Sequence, residues 1–222
     1  MPFAAEWLYR KLGHRYFWSY VAFEIVSALR RGNHGDPDRV FVQVGGGALA
    51  SGLIRGLTEA RDLGLISRLP RIHAVQTEGA YPLIRAWGLF VDRFGPFPSG
   101  DPGGLDRASK SRLAEALAWA AAHRSEFMWP WETPPHSVAH GILDDETYDW
   151  LAVVGGMVES GGCPVTADEA LLVEAASLGR ETTGIRVDAT GASGLAGAVA
   201  QVRRGNVRTG ESLVVLFTGR ER

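Results

Sequence analysis

Lysine is nearly missing from this chain. Among 222 residues it stands only at Lys11 and Lys110, and arginine carries the remaining positive charge. Few primary amines are therefore on hand for covalent chemistry. Cysteine is scarcer still: the single Cys163 excludes an intramolecular disulfide framework and fits a reducing, cytoplasmic setting. No His-bearing motif accompanies it, so it reads as a small residue in a turn. No apolar run approaches the roughly 20 residues that a helix needs to cross a bilayer, so no membrane partner is expected. Glu6, Arg10, Lys11 and Arg15 interrupt the start of the chain and argue against a secretory signal. An excess of one charge is also lacking. Lys+Arg 23 against Asp+Glu 25 leaves a formal charge of −2 and a pI near 6.3, which gives no footprint for nucleic acid. Arg203, Arg204 and Arg208 read as solvated surface. With 45% hydrophobic and 22% charged residues, the composition is that of a folded domain, long enough for one large domain or one and a half ordinary ones.

What is present alternates. Residues 16–31 place Phe17, Tyr20, Val21, Phe23, Ile25 and Leu29 at helical spacing, and the Gly/Asn/Pro stretch at 32–37 ends that helix. Val40, Phe41, Val42, Gln43 and Val44 predict a buried strand that runs into Gly45, Gly46 and Gly47. A helix follows from Leu49 to about Leu63, a second strand at 72–76, and a helix through Tyr81 to Leu89. Residues 92–112 predict a mobile excursion, followed by a helix from Arg112 to about Ser125. Pro130, Pro134 and Pro135 force an extended path through 129–135. A helix is predicted over 144–157, ended by Gly161 and Gly162, then a short strand at Pro164 and Val165. Thr166 and Glu169 read as a capping box for a helix towards Thr182. Residues 191–203 predict a helix of small residues and residues 212–217 a last apolar strand. This order predicts an α/β fold with a parallel sheet and helices on both faces.

The strongest local motif is the stretch at 44–52, VGGGALASG, between a strand and a helix. Glycines permit positive φ and let successive N–H groups converge on an anion, while the helix behind offers its positive end. The stretch lacks the dinucleotide fingerprint and the Lys-Ser/Thr of a P-loop. A phosphate cradle and a plain strand–helix turn both remain open. Thr218 and Gly219 follow the last strand; a hydroxyl there sits where open α/β sheets bind ligands, or simply ends the strand. Residues 187–197 read as a close-packed helix start, with a second anion loop as the alternative. Asp188 and the Asp144-Asp145-Glu146 run have no His at ligand spacing, so no metal site is expected. His136 and His140 sit four apart, but Pro134 and Pro135 precede them and no Glu lies between, which fails the metalloprotease pattern. Trp129 and Trp131 read as loop anchors.

Taken in order, these stretches resemble the pyridoxal-phosphate (PLP) enzymes of fold type II, the tryptophan-synthase-β-like family, closest to its threonine-synthase branch. Residues 44–52 resemble the glycine loop for the cofactor phosphate, residues 21–25 the helix before it, and residues 72–79 (IHAVQTEG) the next strand. Residues 137–143 resemble a dehydratase segment, T-x-A-D-G, with His140 where Asp stands. Residues 184–192 resemble the G-I-x-x-E-P-x-x-A region, and residues 216–219 the terminal element whose Ser, Cys or Thr bonds the pyridine nitrogen. The resemblance divides the chain into a lead-in at 1–15 and a PLP-binding portion at 16–222, the C-terminal part of such a fold. It implies PLP as cofactor, with Gly45, Gly46, Gly47, Ala48 and Leu49 around the phosphate and Thr218 as partner of the pyridine nitrogen N1. A neutral hydroxyl there leaves the nitrogen unprotonated and moderates the electron sink. Threonine at that position is threonine-synthase-like, whereas Ser or Cys favours a dehydratase or racemase.

The same resemblance exposes a gap. Family members carry a Schiff-base lysine in an S-x-K-x-R-like motif well before the glycine loop. Here about fifteen residues precede the resemblance, and Lys11 lacks such surroundings. Lys110, in ASKSR at 108–112, mimics the motif but follows the glycine loop. The expectation is a fragment-like part of a lyase that converts O-phosphohomoserine to threonine and phosphate, without a catalytic lysine and inactive alone. A serine/threonine dehydratase-like part is the alternative. A non-catalytic phosphate-binding fragment, or a subunit needing a partner chain, is the rival from another class. The partners implied are an amino-acid substrate, a second copy in a homodimer, and a separate N-terminal half.

Overall fold

A computed structural model describes residues 14–97 and 105–219. Lys11, the rest of the lead-in to residue 13, and residues 98–104 of the expected excursion lie outside the described residues. In chain order the elements are α1 (His14–Arg31), β1 (Arg39–Gln43), α2 (Ala48–Asp62), β2 (Arg71–Thr77), α3 (Pro82–Phe94), α4 (Arg107–Ala122), α5 (Trp150–Ser160), β3 (Val165–Ala167), α6 (Glu169–Thr183), α7 (Ser193–Arg203) and β4 (Leu213–Val215). Single 3-10 turns occur at Arg124–Glu126 and His140–Ile142. The four strands form one sheet in the order β3-β2-β1-β4, every pair parallel.

Strand alternation divides the interior into two cores. Val40, Val42, Val44, Ile72 and Ala74 face one side, where α1 supplies Val26, α2 Leu53 and Leu57, α3 Phe90, α4 Leu113 and α5 Met157. Phe41, Val75 and Val165 face the other, under α6 and α7 with Leu172, Ala175 and Ala196. Helices cover both faces, as the sequence order predicts. β1 is buried at all five positions, whereas β4 is half-buried and pairs on one edge only among the described residues.

Among the boundaries that differ from the sequence expectation, three have a local reason. α4 starts at Arg107 rather than Arg112, because the Asp106 carboxylate caps it by accepting the Ser109 N–H at 2.7 Å. Asp168, not Thr166, caps α6 through the Leu171 N–H at 2.7 Å, and Glu169 turns away to accept the Val138 N–H at 2.8 Å. α5 starts at Trp150, because residues 144–149 are used elsewhere.

The amino ends of the strands carry a polar cluster. Arg39 pairs with Glu211 in two contacts of 2.7 and 3.2 Å and donates to the Asn206 carbonyl at 2.9 Å. Its Nη1 reaches His73 Nε2 at 3.2 Å. Arginine only donates, so Nε2 accepts and Nδ1–H donates to the Cys163 carbonyl at 3.0 Å. Burial, reinforced by Arg39 and Arg71, outweighs that bond and Glu211 and holds His73 down at about 4. Cys163, its Sγ 3.5 Å from the same ring, has its thiol pushed up by burial and stays protonated.

The histidine makes the fold acid-sensitive. An unfolded His73 titrates near 6.5 and the folded one near 4, so its contribution is complete above pH 6.5 and is lost as pH falls towards 4. Urea unfolding of the full chain should show His73 costing about 2 kcal/mol between pH 7 and pH 5. His73→Leu should flatten that part of the slope, and an unchanged slope would contradict the buried neutral ring.

Candidate functional site

The sheet holds the chain rigid up to the glycines: Val44 N–H still donates to the Val75 carbonyl at 2.9 Å. The backbone then turns through Gly45 and Gly46, and Gly47, at φ 96, enters α2 in the left-handed region that favours glycine. Ser51 N–H donates to the Gly47 carbonyl at 2.9 Å. Among the described residues, the N–H groups of Gly45, Gly46, Gly47 and Ala48 donate no hydrogen bond. Four open donors gather at the positive end of a 15-residue helix, the arrangement that physically favours an anion.

Residues 144–149, expected as a helix, wrap this turn instead. Thr147 Oγ1 donates to the Gly45 carbonyl at 3.0 Å, and Asp149 N–H to the Gly46 carbonyl at 3.0 Å. Asp149 Oδ2 accepts from Ser51 Oγ at 2.6 Å. Buried Gln76 joins the assembly: its Nε2 donates to the Val44 carbonyl at 3.3 Å and to Thr147 Oγ1 at 3.4 Å. Its Oε1 accepts the Leu83 N–H at 2.9 Å, in the first turn of α3. The turn's carbonyls are thus engaged while its N–H groups stay open. Contact is tight. A Cβ on Gly45 would lie 2.3 Å from Asp144 Oδ2, and one on Gly46 would lie 3.1 Å from Tyr148 Cδ2. A carboxylate oxygen therefore already rests against the loop.

Thr218 follows β4, which pairs with β1 so that Phe41 stands opposite Val215. Past the paired residues, Thr218 stays beside the end of β1 through its contact with Gln43, just before the glycines. The residue is exposed, and its Oγ1 accepts from the side-chain amide of buried Gln43. The structure therefore brings the expected glycine loop and Thr218 to one edge of the sheet. Residues 187–197 pack rather than form a second anion loop: Asp188 Oδ1 accepts the Gly191 N–H at 2.7 Å, and Gly191 lies against the Gly219 backbone. Trp129 and Trp131 anchor their strap, with the Arg85 guanidinium 3.8 Å from one ring and 5.1 Å from the other.

Lys110 is elsewhere. Its amine lies 3.9 Å from Glu159, near the end of α5. The opposite end of α5 meets the glycine loop through Asp149, ten residues away and so roughly 15 Å along the helix. Sequence reading missed Gln43, Gln76, Asp144, Thr147 and Asp149. The available signal was the pair of glutamines inside β-branched strands, where a buried amide must find partners.

The family model described as pyridoxal-phosphate dependent enzyme matches residues 12–219. The threonine synthase of Methanocaldococcus jannaschii is 25% identical over 199 residues, 90% of this chain and 40% of that protein. The threonine synthase of Mycobacterium tuberculosis is 25% identical over 199 residues, 90% of this chain and 42% of that protein. The chain thus spans less than half the length of these curated relatives. Among solved structures, a threonine deaminase from T.th. superposes with a TM-score of 0.61 at 20% identity, covering 92% of this chain and 56% of that one. The L-serine ammonia-lyase of Rhizomucor miehei gives 0.59 at 18%, covering 93% and 52%. These two likenesses establish the fold.

The Asp144 carboxylate competes with any anion at the loop. Asp144→Ala should strengthen binding of inorganic phosphate by roughly fivefold at low salt, with the gain shrinking as salt rises. Titration calorimetry on the full chain measures this, and equal affinities would contradict the placement of Asp144.

Proposed function

The chain belongs to the pyridoxal-phosphate-dependent enzyme family, and we propose that it is the cofactor-cradling part of a threonine-synthase-like lyase acting on an amino acid. One observation carries this reading: four open N–H donors at the glycine turn lie just past the end of β1, where Gln43 holds the hydroxyl of Thr218, which follows the neighbouring strand β4. The fit to PLP is chemical. The cofactor's phosphate is an anion, and the N–H groups of Gly45, Gly46, Gly47 and Ala48 are open donors at a helix start. Gly45, Gly46, Gly47, Ala48 and Leu49 would hold the phosphate, the last two through the first turn of α2. Thr218 would face the pyridine nitrogen. When bound, the cofactor supplies an electron sink for bonds at the substrate's α-carbon. The chain's part is to bind and orient it and to hold a hydroxyl proton towards N1.

The preferred reaction is conversion of O-phosphohomoserine to threonine and phosphate, supported by the threonine synthase relatives and by threonine at position 218. His140, where the dehydratase pattern has Asp, and Thr218, where it has Ser or Cys, count against a serine/threonine dehydratase. The lysine comes from a stretch other than the one around Lys110, which pairs with Glu159. A lysine-bearing N-terminal half and a second copy of the chain complete the proposed enzyme. No helix among the described residues is long and apolar enough to cross a membrane.

Titrating the full chain with PLP, followed by borohydride reduction and peptide mapping, tests this reading. It predicts saturable binding that inorganic phosphate displaces, with no label on Lys110. Thr218→Val should weaken PLP by about tenfold and leave inorganic phosphate unaffected. Absence of saturable PLP binding would overturn the cofactor role, and phosphate binding without it would leave a simple phosphate-binding module. A labelled Lys110 would overturn the assignment of the lysine to another stretch.

A further inference from the structure

We infer that Gln43 is a positioning residue that fixes the direction of the Thr218 hydroxyl and makes it a proton donor to the ligand's ring nitrogen; this rests on the proposed reading of the site. Gln43 closes β1 and is 4% exposed. Its Nε2 faces three oxygens: Thr218 Oγ1, the Gly191 carbonyl at 3.4 Å and the Leu216 carbonyl at 3.4 Å. Its Oε1 is buried without a partner among the described residues. That oxygen points at the first turn of α7, where a Cβ on Gly194 would lie 3.2 Å from it.

Of the two orientations of the amide, this one gives the NH2 group its acceptors and leaves only Oε1 without a partner among the described residues. A flip would set Oε1 against three oxygens, two of them carbonyls that cannot donate, and would turn the NH2 group towards the positive end of a helix. With NH2 facing Thr218, the hydroxyl must accept. A hydroxyl that accepts on one side has its own proton left to give. No described residue takes that proton, and Thr218 is exposed. The nearby carboxylate of Asp188, beside Gly219, accepts the Gly191 N–H at 2.7 Å and no bond from Thr218. The proton therefore points outward, suited to an unprotonated pyridine nitrogen. Without Gln43, the Gly191 and Leu216 carbonyls lose their donor and draw the hydroxyl proton to themselves, leaving only a lone pair for the ligand.

The test uses the full chain with PLP labelled with 15N at the ring nitrogen. Gln43→Leu should weaken PLP by about tenfold, leave inorganic phosphate affinity unchanged, and move the 15N resonance away from that of a hydrogen-bonded, unprotonated pyridine. Adding Thr218→Val to Gln43→Leu should cost nothing further, because both act through one bond. Gln43→Met serves where the leucine variant folds poorly by circular dichroism. If Thr218→Val weakens PLP while the Gln43 variants leave affinity and 15N shift unchanged, the inference is wrong and the reading of the site stands. Additive losses, or a parallel loss of phosphate affinity, would make Gln43 merely structural and overturn it. A wild-type chain that binds neither PLP nor phosphate removes the reading and the inference together.

Discussion

β1 hydrogen-bonds along both edges, to β2 on one side and β4 on the other, and every one of its residues is buried. Such a strand cannot shift register without turning its valines out of one core and Phe41 out of the other. Its end is therefore fixed, and with it the point where Gly45 begins to turn. The glycine loop, the start of α2, and the neighbourhood of Thr218 all inherit their positions from that one strand. The polar residue at its end, Gln43, ties the two candidate binding elements together across the β1–β4 edge.

The loop is held open by a second layer of constraint. Thr147 and Asp149 take up the carbonyls of Gly45 and Gly46, and Gln76 takes that of Val44. Their donors leave the N–H groups of the turn unmatched, which is the electrostatic basis of an anion site at a helix start. Gln76 also caps α3, so the same residue that steadies the turn anchors the next helix. At the far end of the sheet the Arg39, Glu211 and His73 cluster closes the strands' amino ends by hydrogen bonds.

Much of this was legible from residue order. Strand and helix periods gave the alternation, because buried parallel strands read as β-branched runs and the glycines mark their exits. Residues 144–149 were not legible. Their composition allows a helix, but Thr147 and Asp149 find better partners on the glycine turn, more than a hundred positions earlier in the case of Thr147. Thr166 lost the capping role to Asp168 because β3 claimed it as a strand residue. The bond between Gln43 and Thr218 spans 175 positions, and no local pattern encodes such a contact. The polar interruption at Gln43 marked only that some partner was required.

On the proposed reading, the open amides of the glycine turn and the Thr218 edge together form one ligand site. An amide-resolved NMR titration of the full chain with PLP tests it most directly. Saturable shifts confined to residues 45–49 and to Thr218 and Gly219 are the predicted result. Shifts centred on the arginine-rich amino end of the sheet, or at the glycine turn with Thr218 and Gly219 unmoved, would contradict it.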